Sequence, residues 1–414
     1  MKKFKTKKII PILLIICLAF LILIPSCGHK NKKTTLKIWT ALEQKELETL
    51  KEITSDFAKK KNIDVVVTQI PMADFQLKYQ VAAPAGFGPD LITAPHDMVG
   101  NLSLAGLISP LSEEEFPKIL QKKFNPVAVM AVTFDGKVYG MPFSVESIAV
   151  IYNKDLVPRK PATMDELVAM AKKLTYGDQY GFLLQMDDTG NFYFTWPFFS
   201  GFGAYIFKNN NGVLDINDIG LDGKQAVEAA NYLKYLRQAK IMPMSVRTDT
   251  AREFFNKGKA AFIVNGPWSI SEIKKNKINY GIMGFPKLKS GKYPGPFVGV
   301  WALMINPHAK ERALAAEFMK YFNTPENQMK IFNASGRIPT RNELYEKISG
   351  NQDVMGFLES INNGTPAPNH PAMNPVWDHM SRTIILIVDG KQTAEKALKD
   401  AVQFMKEDIK SMME

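Results

Sequence analysis

Cysteine is almost absent from this chain of 414 residues: there are two, Cys17 and Cys27. Cys17 falls inside the apolar run Ile9 to Ile24, and Cys27 stands just beyond it. The rest of the chain therefore offers no disulfide, no thiolate nucleophile and no sulfur ligand for a metal. Histidine is scarce too. His29, His96, His308, His370 and His379 show no metal-ligand spacing, and His96-Asp97 is a weak acid–base candidate on adjacency alone. Also missing are G-x-x-x-x-G-K-[ST], a complete G-x-G-x-x-G, H-E-x-x-H and G-x-S-x-G. The stretch Asp215 to Gly220 opens like a calcium loop. Ile219 and Ala226 stand where a ligand and a bidentate carboxylate are needed, so it is read as a turn. No cofactor and no metal are expected.

The formal charge of +11 invites a nucleic-acid partner. Five of the 52 basic residues are Lys2, Lys3, Lys5, Lys7 and Lys8. Without them no Lys/Arg block with interleaved aromatics remains to follow a phosphate backbone, so nucleic acid is excluded. Those lysines, the apolar run and Pro25-Ser26-Cys27 make a secretory leader; the run is short for a membrane span. Ile24-Pro25-Ser26-Cys27 is similar to a bacterial lipobox, which makes residues 1–26 a lipoprotein signal peptide and Cys27 the lipidated first residue. Residues 27–35 form a polar tether. The expected location is outside the cytoplasm, anchored to a membrane by lipid.

The length predicts two or three domains. Leu36 to Trp39 reads as a strand, 43 to 61 as a helix with Leu47, Leu50, Ile53 and Phe57 on one face, and Ile63 to Ile70 as a second strand. That βαβ unit implies a parallel or mixed sheet covered on both faces. "GPDLIT" adds a turn and a third strand. Thr163 and Glu166 form a capping box, and Ala394, Ala397, Leu398, Ala401 and Met405 stripe a C-terminal helix. Further strands are expected at 147–152, 260–264 and 300–305. The class is α/β in two lobes.

Aromatic residues gather near chain breaks, with isolated acids beside them. "NFYFTWPFF" (191–199) holds six aromatics in nine residues, and Trp377 stands between Pro375 and Asp378. In "KAAFIVNGPWS" Trp268 follows a strand and an Asn-Gly-Pro break, with Ser269 and Glu272 as a capping pair. Such a tryptophan is either a core plug or a flat face shown to a ligand, and tryptophans are mostly buried. Glu146, in "MPFSVESIAV", is either hydrogen-bonded in the core or turned to a ligand. Sugars suit this mixture: their C–H faces lie on rings and their hydroxyls donate to carboxylates.

These stretches, with "GPDLITAPHD", "GKVYGMPFSVESIAVIYNKDLVP", "YFTWPFFSGFGAYIFK", "INYGIMGFPKL" and "GKQTAEKALKDA", occur in one order over residues 36 to 410. Over that span the chain resembles bacterial maltose/maltodextrin-binding proteins, the extracytoplasmic receptors of ABC-type sugar importers. The resemblance implies a type II periplasmic-binding-protein fold: two lobes with mixed sheets flanked by helices, and a ligand cleft between them. It places one lobe at 36–145 and 299–345 and the other at 146–298 and 346–414, with hinges near 144–148, 298–302 and 340–350. It implies a monomer that binds an α-glucan by hinge closure, delivers it to the importer's permease subunits and catalyses no reaction. Carried over singly, the carbohydrate-binding positions are Glu43, Gln44, Asp97, Glu146, Asn191, Tyr193, Trp268 and Trp377; Trp268 then faces sugar. The chain departs from the pattern at Ala94, where a tryptophan is familiar, at Met98 in place of an arginine, and at Asp378 in place of an aromatic. Arg382 stands one residue out of register. Two competing assignments use the same cleft. One is a carbohydrate-active enzyme with its carboxylate pair among Glu43, Asp97 and Glu146. The other is a sensor that presents sugar to a receptor kinase.

Overall fold

The computed structural model describes residues 33–186, 191–210, 213–243 and 245–413. The expected leader, Cys17, Cys27 and the tether as far as residue 32 lie outside the described residues. Among the described residues the strands in chain order are β1 (Thr35–Thr40), β2 (Asp64–Gln69), β3 (Leu91–Pro95), β4 (Thr133–Phe134), β5 (Lys137–Val138), β6 (Met141–Ser147), β7 (Ala149–Asn153), β8 (Tyr180–Leu183), β9 (Phe207–Asn210), β10 (Val213–Ile219), β11 (Ala260–Asn265), β12 (Tyr280–Met283), β13 (Phe297–Ile305), β14 (Ile338–Pro339) and β15 (Thr365–Pro366).

Two mixed sheets organise them. The first has the order β14-β6-β13-β3-β1-β2, with β15 also on β13. Its β1 runs parallel to β2 and β3, while β13 runs antiparallel to β3 and β6. The second has the order β12-β7-β11-β8. Every residue of β7 and β11 is buried, as central strands covered on both faces require. Each sheet carries its own helices, giving two α/β lobes.

The βαβ unit forms as its periodicity predicts. The helix Gln44–Lys61 buries Leu50, Ile53 and Phe57, and the Phe57 ring meets Phe318 edge-on at 5.2 Å. Asn62, at φ 53°, ends it in the left-handed conformation that asparagine tolerates. No helix among the described residues is long and apolar enough to cross a membrane.

The strand expected over 147–152 is in fact two strands in two sheets. β6 ends at Ser147 and β7 begins at Ala149, so the chain passes between lobes at Ile148. Ser147 Oγ donates to the Phe297 carbonyl at 2.9 Å, tying this crossing to the start of β13, where the chain returns. After β14 the helix Gln352–Asn363 packs on β12. β15 then touches β13 again, and Asn369 Nδ2 donates to the carbonyls of Ala131 and Thr133 at 2.9 and 3.0 Å. The helices Met373–Val388 and Ala394–Met413 close the chain on the helix Lys224–Gln238.

Three local expectations are corrected or refined. Asp215 to Ile219 is not a turn but part of β10, whose bulge absorbs the irregular spacing. Ser269 and Glu272 form no capping box. Pro267–Ser269 is a 3-10 turn that runs straight into the helix Ile270–Lys275, so Ser269 already has helical torsions and its Oγ donates back to the Gly266 carbonyl at 2.7 Å. Thr163 does cap, accepting from the Glu166 N–H at 3.2 Å, and Glu166 reaches back to the Ala162 N–H.

Candidate functional site

Glu146 lies near the end of β6, opposite Gly299 of β13. A Cβ at position 299 would stand 3.0 Å from Glu146 Cγ, so any larger residue there would push the Glu146 side chain aside by a few tenths of an ångström. Two residues along β13, on the same face, Trp301 Nε1 donates to Glu146 Oε1 at 3.1 Å. Arg337, just before β14, donates from Nη1 to Glu146 Oε2 and from Nε to Oε1 of Glu46, in the first turn of the helix Gln44–Lys61. Its guanidinium lies over the Trp301 ring at 4.7 Å. The side chains of Arg337, Glu146 and Glu46 are 11%, 14% and 15% exposed, so the cluster is mostly buried but open on one side.

Burial pushes the Glu146 carboxyl up from the ordinary carboxylate range; the Arg337 guanidinium opposes that push and Glu46 adds to it. Burial also works against the charge on Arg337, but Glu146 and Glu46 together outweigh it and raise its pKa. The Tyr193 hydroxyl is pushed up as well, first by burial and then by the charges of Glu146 and Asp97, with Arg337 opposing. Tyr193 belongs to the helix Phe192–Phe202, which the chain forms between β8 and β11 of the second sheet and packs on the helix Lys224–Gln238, so residues from both sheets' segments contribute to one electrostatic site.

Aromatic packing positions that helix. Tyr193 stacks on Phe297 at 6.0 Å, and the Trp196 ring lies against Phe297 at 4.9 Å, only 6° from parallel. Trp377 meets Phe297 at 5.3 Å and Phe192 at 5.8 Å. The first residue of the returning strand β13 therefore seats Tyr193 and Trp377 together. Asn191, at φ 41°, turns the chain into the helix, and the Phe192 N–H donates to Ser381 Oγ at 3.3 Å.

Trp268 is not a core plug. It is 40% exposed and its ring lies on Gly266, where a Cβ would come within 2.2 Å of ring atoms. Glu43 is exposed, precedes the helix Gln44–Lys61 in extended conformation and makes no side-chain cap; Gln44 opens that helix. Asp97 is exposed on the 3-10 turn His96–Met98. His96 is no acid–base partner for it: the Val300 N–H donates to Nδ1 at 3.1 Å, which leaves the Nε2 proton to meet the Ala367 carbonyl at 3.1 Å. Both nitrogens are used in fastening β13 to residue 367. Ala94 is fully buried, Met98 partly so, and Asp378 and Arg382 are exposed. A groove of about 260 Å³ connects the two lobes beside this site. It is lined by Lys45 and Gly336 from one lobe and by Pro267, Ile270 and Phe357 from the other.

Sequence reading missed Glu46, Phe297, Trp301 and Arg337. Trp301 and Phe297 stand in the apolar run "PFVGVWALMI" and look like core. Glu46 looks like a solvated first-turn acid. Arg337, one basic residue in "SGRIP", carries no local signal at all.

Residues 52–355 match the model of a family described as bacterial extracellular solute-binding protein. A galactooligosaccharide-binding protein of Bacillus subtilis (strain 168) is 29% identical, over 96% of both chains. A maltooligosaccharide ABC transporter solute-binding lipoprotein of Streptococcus pneumoniae (strain ATCC BAA-255 / R6) is 31% identical, over 79% of this chain and 78% of its own. The crystal structure of a cyclo/maltodextrin-binding protein complexed with maltotetraose matches with a TM-score of 0.82 and 36% identity, covering 91% of this chain and 98% of that one. The fold is thus the two-lobe solute-binding fold. The chain belongs to the bacterial extracellular solute-binding proteins, a family of binding proteins and not of enzymes.

Proposed function

We propose that this protein is an extracytoplasmic receptor that binds maltose or maltodextrin between its lobes and delivers it to the permease subunits of an ABC importer. One observation carries this: the mostly buried Glu146, its oxygens held by Trp301 and Arg337, lies within electrostatic reach of Tyr193 of the other lobe. A carboxylate placed there accepts from sugar hydroxyls, and Tyr193, Trp268 and Trp377 supply ring faces. Glu43, Gln44, Asp97 and Asn191 complete the proposed contact set. The lobes are taken as 36–145 with 299–345, and 146–298 with 346–414. A sugar that touches both interacts better with a closed cleft than an open one, and that difference drives closure. The protein acts as a monomer, anchored through lipid on Cys27. The names of the pneumococcal lipoprotein and of the maltotetraose complex support the substrate and the anchor.

A second substrate class has an observation behind it. The Bacillus subtilis relative is named for galactooligosaccharide, and Ala94 and Met98 remove a ring and a charge from the maltodextrin pattern. Calorimetry decides between them. Titration with maltose, maltotriose, a cyclodextrin, a galactooligosaccharide and an unrelated sugar should give heat with the α-glucans and no release of reducing ends. Heat with the galactooligosaccharide alone overturns the substrate.

A further inference from the structure

We infer that Arg337 is itself a sugar-contacting residue: its guanidinium, fixed by Glu46, Glu146 and the Trp301 ring, presents its Nη2 hydrogens to a hydroxyl of the bound oligosaccharide. This rests on the receptor function proposed above.

A guanidinium carries five N–H donors in a rigid fork. In Arg337 the Nε hydrogen goes to Glu46 and one Nη1 hydrogen to Glu146. Among the described residues Nη2 donates to no protein group. It is not one of the sealed, unpartnered polar atoms either, and the side chain keeps 11% of its surface open. The group cannot turn away. Two carboxylates from different elements hold it, and the Trp301 ring supports its face at 4.7 Å. The neighbouring Gly336 lines the groove between the lobes, so the open side of Arg337 lies at that groove's edge, with Tyr193 of the opposite lobe within electrostatic reach.

The arrangement is chemically specific. Each Glu146 oxygen has one protein partner and keeps a lone pair. Beside it stands an N–H donor that is always charged. An acceptor and a donor side by side match two neighbouring sugar hydroxyls, one donating to Glu146 and the next accepting from Arg337. Because the fork is held before sugar arrives, little side-chain freedom is lost on binding. Neither lysine nor an uncharged side chain reproduces this, since an ammonium is a point charge that cannot bridge two carboxylates and still offer a directed donor.

The test is a mutant cycle between the protein and the ligand. Wild type, Arg337→Lys and Arg337→Gln are titrated with maltotriose and with a set of maltotrioses each lacking one hydroxyl. In wild type, one analogue should bind about ten- to one-hundredfold more weakly than maltotriose, the range for a hydrogen bond from a charged donor. In Arg337→Lys, maltotriose should be weakened by a similar factor, and that same analogue should lose nothing further. Sugar-free melting shows that the variant is folded. Arg337→Gln leaves two carboxylates without their cation; should it fail to fold, Arg337→Lys carries the test alone. If Arg337→Lys weakens every analogue by one common factor, Arg337 only positions Glu146 and the inference is overturned. Unchanged affinity overturns it as well. No heat from wild type with maltotriose overturns the proposed function, and this inference with it.

Discussion

Replacing Trp268 with alanine separates a ligand platform from a core residue. A tryptophan side chain presents about 200 Å². With 40% of the residue exposed, about 80 Å² is left for a ligand to cover. At about 25 cal/mol per Å² that is about 2 kcal/mol, or about thirtyfold in affinity. Part of the covered ring face rests on Gly266, two residues away, a contact that the unfolded chain partly keeps. The sugar-free cost of Trp268→Ala should therefore be about 1 kcal/mol, about one degree in melting temperature for a chain of this length. Trp196 is the internal reference. It is 5% exposed and stacked on Phe297, so Trp196→Ala should cost about 3–5 kcal/mol. The assay is thermal unfolding of wild type and both variants, with and without maltotriose at about one hundred times the wild-type Kd. Sugar should stabilise wild type by about 2.7 kcal/mol and Trp268→Ala by only about 0.9 kcal/mol, because its Kd is thirtyfold higher. A sugar-free loss in Trp268→Ala as large as that in Trp196→Ala, with an unchanged Kd, would refute the reasoning.

Three further outcomes are expected. Gly266→Ala places a Cβ within 2.2 Å of the Trp268 ring at an ordinary negative φ, so the ring must move while the backbone need not; titration should show weakened sugar binding with a nearly normal sugar-free melt. Glu115 accepts from Arg312 Nε and Nη2 at 2.8 Å each and from the Ser112 N–H at 2.7 Å. Burial pushes its carboxyl up, but these partners together hold it below the usual range. Its contribution is thus present above the unfolded carboxylate value of about 4.3 and is lost as pH falls through the folded value. Glu115→Gln should cost about 1–2 kcal/mol at pH 7 by urea unfolding, and the gap to wild type should close on acidification; a gap independent of pH would count against the pair. Finally, Cys27→Ser should abolish membrane attachment, read by fractionation of cells. Normal processing and retention in the membrane fraction would rule out the lipid anchor.

Short-range patterns were legible before the structure. The stripe Leu50, Ile53, Phe57 and the run Val65-Val66-Val67 settle a helix and a strand, because burying one face of a regular element is a local question answered by periodicity. The contrast between β1, which alternates in burial, and the fully buried β11 follows from composition in the same way. Local rules failed where a neighbour decided. Ser269 lost its cap because the preceding turn already bends as a helix, and one expected strand split at Ile148 because its halves hydrogen-bond in different sheets.

The charged heart of the site depended on tertiary structure alone. Arg337 meets Glu146 across 191 residues of sequence and Glu46 across 291. No propensity, spacing or motif relates those three positions. What joins them is the antiparallel register of β6 with β13 and β14, together with the packing of the helix Gln44–Lys61 on the helix Pro325–Ser335, which leads into β14. Sequence alone determined which residues seek the interior and which ring and acid types are available to a ligand. Their meeting is a consequence of sheet order, which arises from the whole chain's search for a common core and has no counterpart in any one stretch of it.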